Sequence, residues 1–477
     1  MKRTLTAVGV SLGGAMALAL GPASAADLRL DSTAGTSVIF TDNVDRAPDD
    51  QAEAAIINRA DWSSVYTLTG PRLNASLVSD VGVELTNGTD PTLDQNVRAN
   101  GSLEIIDHYI FLDAAASSTR ALIDATADTS TGRANTDDET ATVNVFEVSP
   151  LFRYVFSDDT EAVFRATHRE TFITDDPSPG STTRETDTEQ TLSIDTRREF
   201  RRIGFGVDLE RRTTDEDRRD EDGSWFEERS AGVTARYAVN RWVTTLVRGG
   251  YSYVDLNGST DLSGPFWDVG VQLTGVRGSL LLTYGNRYDD PVIGASLEYA
   301  LTPRLRVEGE LSRNLDTPLL RFTRALGEER GTGSSILPDI TQVGTDIDQG
   351  PSLTYQGRLG LTGLYGRNTF SLGATYLDEE PLEDDGRTGE STTIAANASW
   401  ARALTPELSS TLSMQISHTE GDQEPSSVTL SMSGRLNYSL TNDVTVFGTV
   451  SRVEKMSDSA ADEYTENSLL IGGNITF

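Results

Sequence analysis

The chain has no cysteine in 477 residues and three histidines. A disulfide framework and a thiolate zinc site are therefore excluded, and histidine chemistry has little to draw on. Positive charge is also scarce: 40 Lys and Arg stand against 73 Asp and Glu, a formal net charge of −33. Nucleic acid, which is held by clustered cations facing phosphates, is not an expected partner. Beyond the N-terminus no segment approaches the roughly 18 consecutive apolar residues of a membrane-spanning helix. A chain of this length still has ample apolar material for a large fold.

The N-terminus reads differently. Lys2 and Arg3 precede an apolar stretch from Leu5 to Leu20, which ends in Ala23-Ser24-Ala25. A basic start, a short apolar core and a small-residue cleavage site describe a secretory signal. Residues 1–25 are expected to be removed and residues 26–477 to form the mature domain. An exported chain without helical spans is either soluble or a β-barrel.

Period-two alternation runs through the mature sequence. Leu73, Ala75, Leu77, Val81, Val83 and Leu85 share one face, and Asn74, Ser76, Asp80, Gly82 and Glu84 the other. Leu408, Leu412, Met414 and Ile416 alternate with Ser409, Thr411, Ser413, Gln415 and Ser417. A sandwich would alternate as well. Loop length separates the two: short connections such as Leu301-Thr302-Pro303-Arg304, Leu404-Thr405-Pro406-Glu407 and Leu440-Thr441-Asn442-Asp443 alternate with long polar stretches at 42–59, 119–140, 170–188, 211–228, 313–350 and 377–392. Tight turns at one end and long loops at the other are the pattern of an outer-membrane barrel.

Aromatic placement agrees. Tyr154, Tyr237, Tyr299, Trp400 and Tyr438 fall on the apolar face shortly before short turns, and Tyr251, Tyr253, Tyr284 and Tyr376 lie towards the long loops. Two membrane–water interfaces select two such girdles. The last strand alternates through Leu469, Ile471, Gly473, Ile475 and Phe477. Its end resembles the terminal recognition strand of bacterial outer-membrane proteins, in which a final Phe and an apolar residue two before it engage the barrel assembly machinery. Leu470 departs from that pattern.

The expected fold is thus all-β: a single transmembrane antiparallel up-and-down barrel with short periplasmic turns and long acidic extracellular loops. About ten short turns give roughly 22 strands, within a range of 18–24. Each needs about 9–11 residues to span the hydrocarbon. The first strand is expected near Leu28–Phe40, and a plug-bearing transporter is disfavoured because no plug-sized stretch is expected before it.

Two stretches carry a family resemblance. Val38-Ile39-Phe40-Thr41-Asp42-Asn43-Val44 closes the first strand, and Phe111-Leu112-Asp113-Ala114-Ala115-Ala116-Ser117 opens another after the turn at Ile105-Ile106-Asp107-His108. Together they resemble the β-barrel porin family that includes outer-membrane proteins of PEP-CTERM/exosortase and exopolysaccharide systems, most closely over residues 28–120. The resemblance implies an integral outer-membrane barrel of a Gram-negative bacterium serving polysaccharide export or surface assembly. It brings no catalytic residues.

Candidate chemistry is sparse. His108 sits in a turn, His168 on a strand in the register of Phe164 and Ala166, and His418 at a strand end. A barrel-embedded hydrolase would need a hydroxyl nucleophile beside His168, where Thr160, Thr167 and Thr171 are near in sequence, together with an orienting group; no catalytic residue is assigned and no enzyme is expected. The acidic run Asp215-Glu216-Asp217-Arg218-Arg219-Asp220-Glu221-Asp222-Gly223, and Asp255-Leu256-Asn257-Gly258 with Asp261, hold fragments of a cation loop without the full alternating oxygen pattern. No metal or cofactor is assigned.

Asp80, Glu84, Arg165, Arg169, Asp268, Arg306, Glu308, Glu310, Arg358 and Arg435 lie opposite the lipid face. An arginine facing hydrocarbon costs roughly 2–4 kcal/mol at midplane, so these side chains are expected to line a lumen. The leading expectation is a porin-like channel or export-associated conduit for polar solutes or polysaccharide, with the loop at 313–350 folding inward as a constriction. The alternative is a surface interaction barrel whose acidic loops bind partners or divalent cations. Expected partners are outer-membrane lipid, lipopolysaccharide and the assembly machinery, the last through Ile475 and Phe477.

Overall fold

The structure, a computed structural model, describes residues 27–477 apart from 87–90, 123–139, 175–181, 197–201, 219–222, 257–261, 329–349, 383–388 and 423–424. Residues 1–26, which include the expected signal segment, lie outside the described residues. Twenty-two antiparallel strands form one sheet. The first eleven are β1 Asp27–Thr41, β2 Ala55–Thr69, β3 Leu73–Thr86, β4 Thr92–Ile106, β5 Ile110–Leu122, β6 Thr140–Ser157, β7 Thr160–Thr174, β8 Thr182–Thr196, β9 Ile203–Arg218, β10 Ser224–Ala238 and β11 Val243–Leu256. The rest are β12 Gly264–Gly275, β13 Gly278–Arg287, β14 Asp290–Thr302, β15 Leu305–Asp316, β16 Ser352–Tyr365, β17 Asn368–Pro381, β18 Ser391–Ala403, β19 Leu408–Gly421, β20 Ser427–Ser439, β21 Val444–Ser457 and β22 Tyr464–Thr476. Among the described residues one helix, α1 Pro318–Glu328, sits between β15 and β16.

The sheet closes on itself because β1 pairs with both β2 and β22, running from Thr33 opposite Thr476 to Thr41 opposite Ser468. Closure leaves no strand edge with unpaired backbone groups, the condition for spanning a bilayer with strands. Phe477 completes the seam: its amide donates to the Ser32 carbonyl at 2.8 Å, and its ring stacks 6.0 Å from that of Trp62.

The alternation now has a geometry. Leu77, Val81, Val83 and Leu85 on β3 share the outward face with Tyr66 and Trp62 on β2, the direct cross-strand partners of Leu77 and Val81. Tyr154, Tyr237, Tyr299, Trp400 and Tyr438 are exposed outward at the short-turn end, and Tyr251, Tyr253, Tyr284 and Tyr376 are exposed outward towards the other end. Asp27 and Phe477, the first and last described residues, belong to the short-turn end. The tight turn between β16 and β17 uses Gly366 at φ 61°, a left-handed backbone that glycine adopts without steric cost.

Three sequence expectations change. The strands run from 10 residues in β13 to 18 in β6, longer than the hydrocarbon requires. Much of 170–188 and 211–228 is therefore strand rather than loop: β7 continues to Thr174, and β9 and β10 rise to Arg218 and from Ser224. Here both faces are polar, so composition imitates a loop while backbone pairing continues. The long-loop end also contains one tight turn, at Tyr288-Asp289 between β13 and β14, with φ of 56° and 61°. Two consecutive left-handed residues make the turn best suited to a twisted hairpin. A tyrosine there is strained, and burial of its ring among Phe226, Val254, Leu315 and Leu353 holds it in place.

Candidate functional site: a lumen bridged at its mouth

The inward face of the barrel is polar along most of its height, but the long-loop end carries apolar patches. In β6 the inward residues Ala141, Val143 and Val145 are apolar and fully buried, although the outward residues Phe146, Val148 and Phe152 are apolar too. With Ile173 of β7 they form a seat for Leu319 of α1, with Phe322 packed against it. The helix start is written locally: Pro318 takes the first position, where its missing N–H costs nothing, and the Leu320 amide donates to Thr317 Oγ1 at 3.0 Å as an N-cap.

Charged pairs fasten this segment across the mouth. Arg212 of β9 donates to Asp316 Oδ1 at 2.9 Å, to the Leu315 carbonyl, and to Glu228 of β10 at 3.5 Å. Arg324 reaches Asp316 at 2.7 Å and Glu189 of β8 at 3.4 Å. Arg321 bonds Glu379 of β17 and Thr354 of β16, the latter at 2.7 Å. Thr317 donates to Glu185 of β8. Residues 316–324 therefore touch strands far apart around the barrel.

A second support lies beside it. The upper ends of β15 and β16 lean over the short β13–β14 hairpin, so that Leu315 and Leu353 join Phe226, Val254 and Tyr288 in one apolar cluster. Tyr288 donates to Glu228 at 2.7 Å, and Arg287 reaches the same carboxylate at 2.8 Å. Burial pushes the Tyr288 phenol well above its ordinary pKa, so it stays a donor.

The sequence-predicted lumen residues all point inward by register, with varied surroundings. Glu84 is buried and bonds Arg59 of β2 at 2.9 Å; Asp80 is exposed on the same strand, opposite Ser63. Arg165 meets Asp113 at 3.2 Å, and Arg169 meets Glu147 at 2.8 Å and Asp187 at 3.5 Å. Asp268 stands directly opposite Arg248. Arg306 bridges Glu298 and Glu308 at 2.8 and 2.7 Å, and Arg358 bonds Glu310, its direct partner, at 2.8 Å. Arg435 lies over the Phe447 ring at 4.2 Å and donates to Asn437. These residues line one surface but do not converge on one point. The described part of the 313–350 loop folds inward; 329–349, with Pro338, lies outside the described residues.

His168 faces outward beside Thr188 Oγ1 at 3.0 Å and Glu170 at 3.7 Å. Thr167 and Thr171, near it in sequence, occupy the opposite face, because neighbouring strand residues alternate sides. His418 faces outward and contacts the Ser427 carbonyl at 3.2 Å. His108 is exposed in the β4–β5 turn near Glu104 and Asp107. Of the acidic run, Glu216 is inward and buried while Asp215 and Asp217 are outward; Asp220, Glu221 and Asp222 lie outside the described residues, as do Asn257, Gly258 and Asp261.

Sequence reasoning missed Arg212, Glu228, Glu185, Asp316 and Arg321, which build the bridge. Two signals pointed to it: Thr317-Pro318 ahead of Leu319-Leu320, and β6, where the apolar register switches from Ala141, Val143 and Val145 to Phe146, Val148 and Phe152.

No protein-family profile matches the chain, and no curated relative does. Solved structures resemble it in shape. The FrpB iron transporter from Neisseria meningitidis matches with a TM-score of 0.51 and 10% identity, covering 94% of this chain and 82% of that one. The siderophore receptor PiuA from Acinetobacter baumannii matches with a TM-score of 0.50 and 10% identity, again covering 94% and 82%. At this identity the likeness is one of architecture. The fold is that of outer-membrane β-barrels.

Proposed function

We propose that this chain is an integral protein of a Gram-negative outer membrane whose lumen conducts polar solutes, with 316–324 as a constriction across the extracellular mouth. The observation that carries this reading is the division of faces: aromatic and aliphatic side chains outside, ion pairs and hydroxyls inside, around a closed sheet. A ring this wide is not filled by its own wall side chains. Ile475 and Phe477 at the end of β22 are the handle for the assembly machinery, and lipid with lipopolysaccharide surrounds the belt.

Polysaccharide is the finer reading. It is supported by the resemblance in β1 and β5, and by the inner wall of β18–β22. There Asn397, Ser399, Thr411, Ser413, Gln415, Ser431, Ser433 and Ser451 offer hydroxyls and amides suited to an uncharged glycan. Planar-bilayer recording of refolded protein tests the conduit. The full chain is expected to conduct, and replacing 318–328 by a Gly-Ser linker to raise conductance severalfold. Silence from both would overturn the reading.

A surface-interaction role has its own observation. Beyond the apolar belt, β7–β10 carry outward pairs, Arg184 with Glu170 at 3.0 Å and Arg211 and Arg229 with Glu227 at 2.6 Å each. On that reading, neutralising Arg184, Arg211 and Arg229 together abolishes partner capture on whole cells while conductance is retained; unchanged capture removes it.

A further inference from the structure

Across β7, β8 and β9 three inward side chains stand in register. Thr171 is directly opposite Glu185, and Glu185 is directly opposite Glu216. Such partners have Cβ atoms about 4.5–5.5 Å apart, so the three side chains form one row across the inner wall. None of the three is more than 1% exposed.

Known partners satisfy part of this cluster. Glu216 Oε2 accepts from Ser224 at 2.7 Å and from Arg218 at 3.3 Å, and Glu185 Oε2 accepts from Thr317. Glu185 Oε1 and Thr171 Oγ1, both buried, have no hydrogen-bond partner among the described residues. A buried carboxylate oxygen left bare is strongly unfavourable.

We propose that Glu185, Glu216 and Thr171 form a binding site for a divalent cation, specifically Ca²⁺. Carboxylates and a hydroxyl are the hard oxygen donors that Ca²⁺ takes, and its coordination tolerates an irregular cage better than that of Mg²⁺. A dication gives Glu185 Oε1 and Thr171 Oγ1 a partner. Because the other oxygen of Glu185 holds Thr317, the cap of α1, the ion fixes the carboxylate to which the helix is tied. Occupancy then sets how firmly the mouth is bridged. The ion site does not depend on the conduit reading and would bind whether or not solute passes.

The test uses the full chain in detergent micelles at pH 7, with ⁴⁵Ca²⁺ flow dialysis and hydrogen exchange of the peptide spanning Thr317–Arg324. One saturable site is expected above the weak background of the acidic surface. Glu185→Gln should weaken it at least tenfold and Thr171→Val severalfold. A Glu104→Gln/His108→Ala double variant, which removes the exposed turn cluster of Glu104, Asp107 and His108, should leave it unchanged. Added Ca²⁺ should slow exchange of 317–324 in the parent and not in Glu185→Gln. The proposal is overturned by equal affinity in Glu185→Gln, by loss in the turn variant alone, or by no saturable site in the parent. Exchange that slows on acidification but not with Ca²⁺ would mean that Glu185 and Glu216 share a proton, and overturns it too. Heat-modifiable gel migration reports folding; should Glu185→Gln not fold, Thr171→Val and the parent's exchange response decide.

Discussion

From β6 to β22 the inner wall consists of two dissimilar parts. From β6 to β17 it is built from ion pairs: Arg169 with Glu147, Arg236 with Asp195, Arg248 with Asp208, Arg212 with Glu228, Arg306 with Glu298 and Arg358 with Glu310. From β18 to β22 it is built from hydroxyls that pair with one another, as in Ser413 with Ser433 at 2.9 Å and Ser451 with Ser468 at 2.6 Å. Among the described residues, the inward charges of this second half are Arg435, Lys455 and Glu466. The bridge rests on the charged half. A segment carrying Asp316, Arg321 and Arg324 must exchange water for partners of opposite sign, and β8, β9 and β17 supply them. The hydroxyl half, with three inward charges among the described residues, offers a helix few such anchors.

The sharpest way to break this contrast is to remove a guanidinium from the charged half. Arg212→Ala leaves Glu228 and Asp316 facing each other in a buried site, and breaking buried pairs costs about 3–5 kcal/mol. Urea unfolding in liposomes should show a loss of that order, together with faster exchange in 316–324. Parental behaviour would mean that the pairs are ornamental. Next in size is Leu319→Ala, which empties the seat on Ala141, Val143, Val145 and Ile173. Leu→Ala in a core costs about 2–5 kcal/mol, felt here as undocking of α1 and read as increased channel conductance. Tyr288→Phe removes the donor to Glu228 at a cost of about 1–3 kcal/mol, read as a lower urea midpoint. The smallest effect belongs to the other half: Ser413→Ala with Ser433→Ala should move stability by less than about 1 kcal/mol.

Ion selectivity sharpens the same comparison. Arg435→Ala takes a cation from the nearly neutral half and should shift the reversal potential towards cation preference. The double change Arg358→Met with Glu310→Leu removes a pair without changing net charge and should leave the potential in place.

The barrel was legible because a sheet between lipid and water forces most residues to declare their side, and strands such as β3 and β19 do so at most positions. The count of 22 followed from the short turns, whose Pro, Asn, Asp and Gly have few other uses. The upper parts of β7–β10 were not legible as strand, since above the belt both faces meet water and the pattern no longer distinguishes strand from loop. The bridge was half legible. Thr317-Pro318 announces a helix, but nothing local to Arg212 names Asp316 as its partner 104 residues later. Such pairs are set by closure of the whole sheet. His168 shows the converse: proximity along the chain put Thr167 and Thr171 beside it, and the pleat turned them away.

Because the chain has no native cysteine, neighbouring residues can be compared one thiol at a time. Leu412→Cys and Ser413→Cys on β19, reconstituted in liposomes and treated with a water-soluble maleimide, probe opposite faces of one strand at the same depth. Rapid labelling at 413 and protection at 412 is the expected outcome; equal labelling, or the reverse order, would contradict a lipid-facing exterior around a water-filled interior.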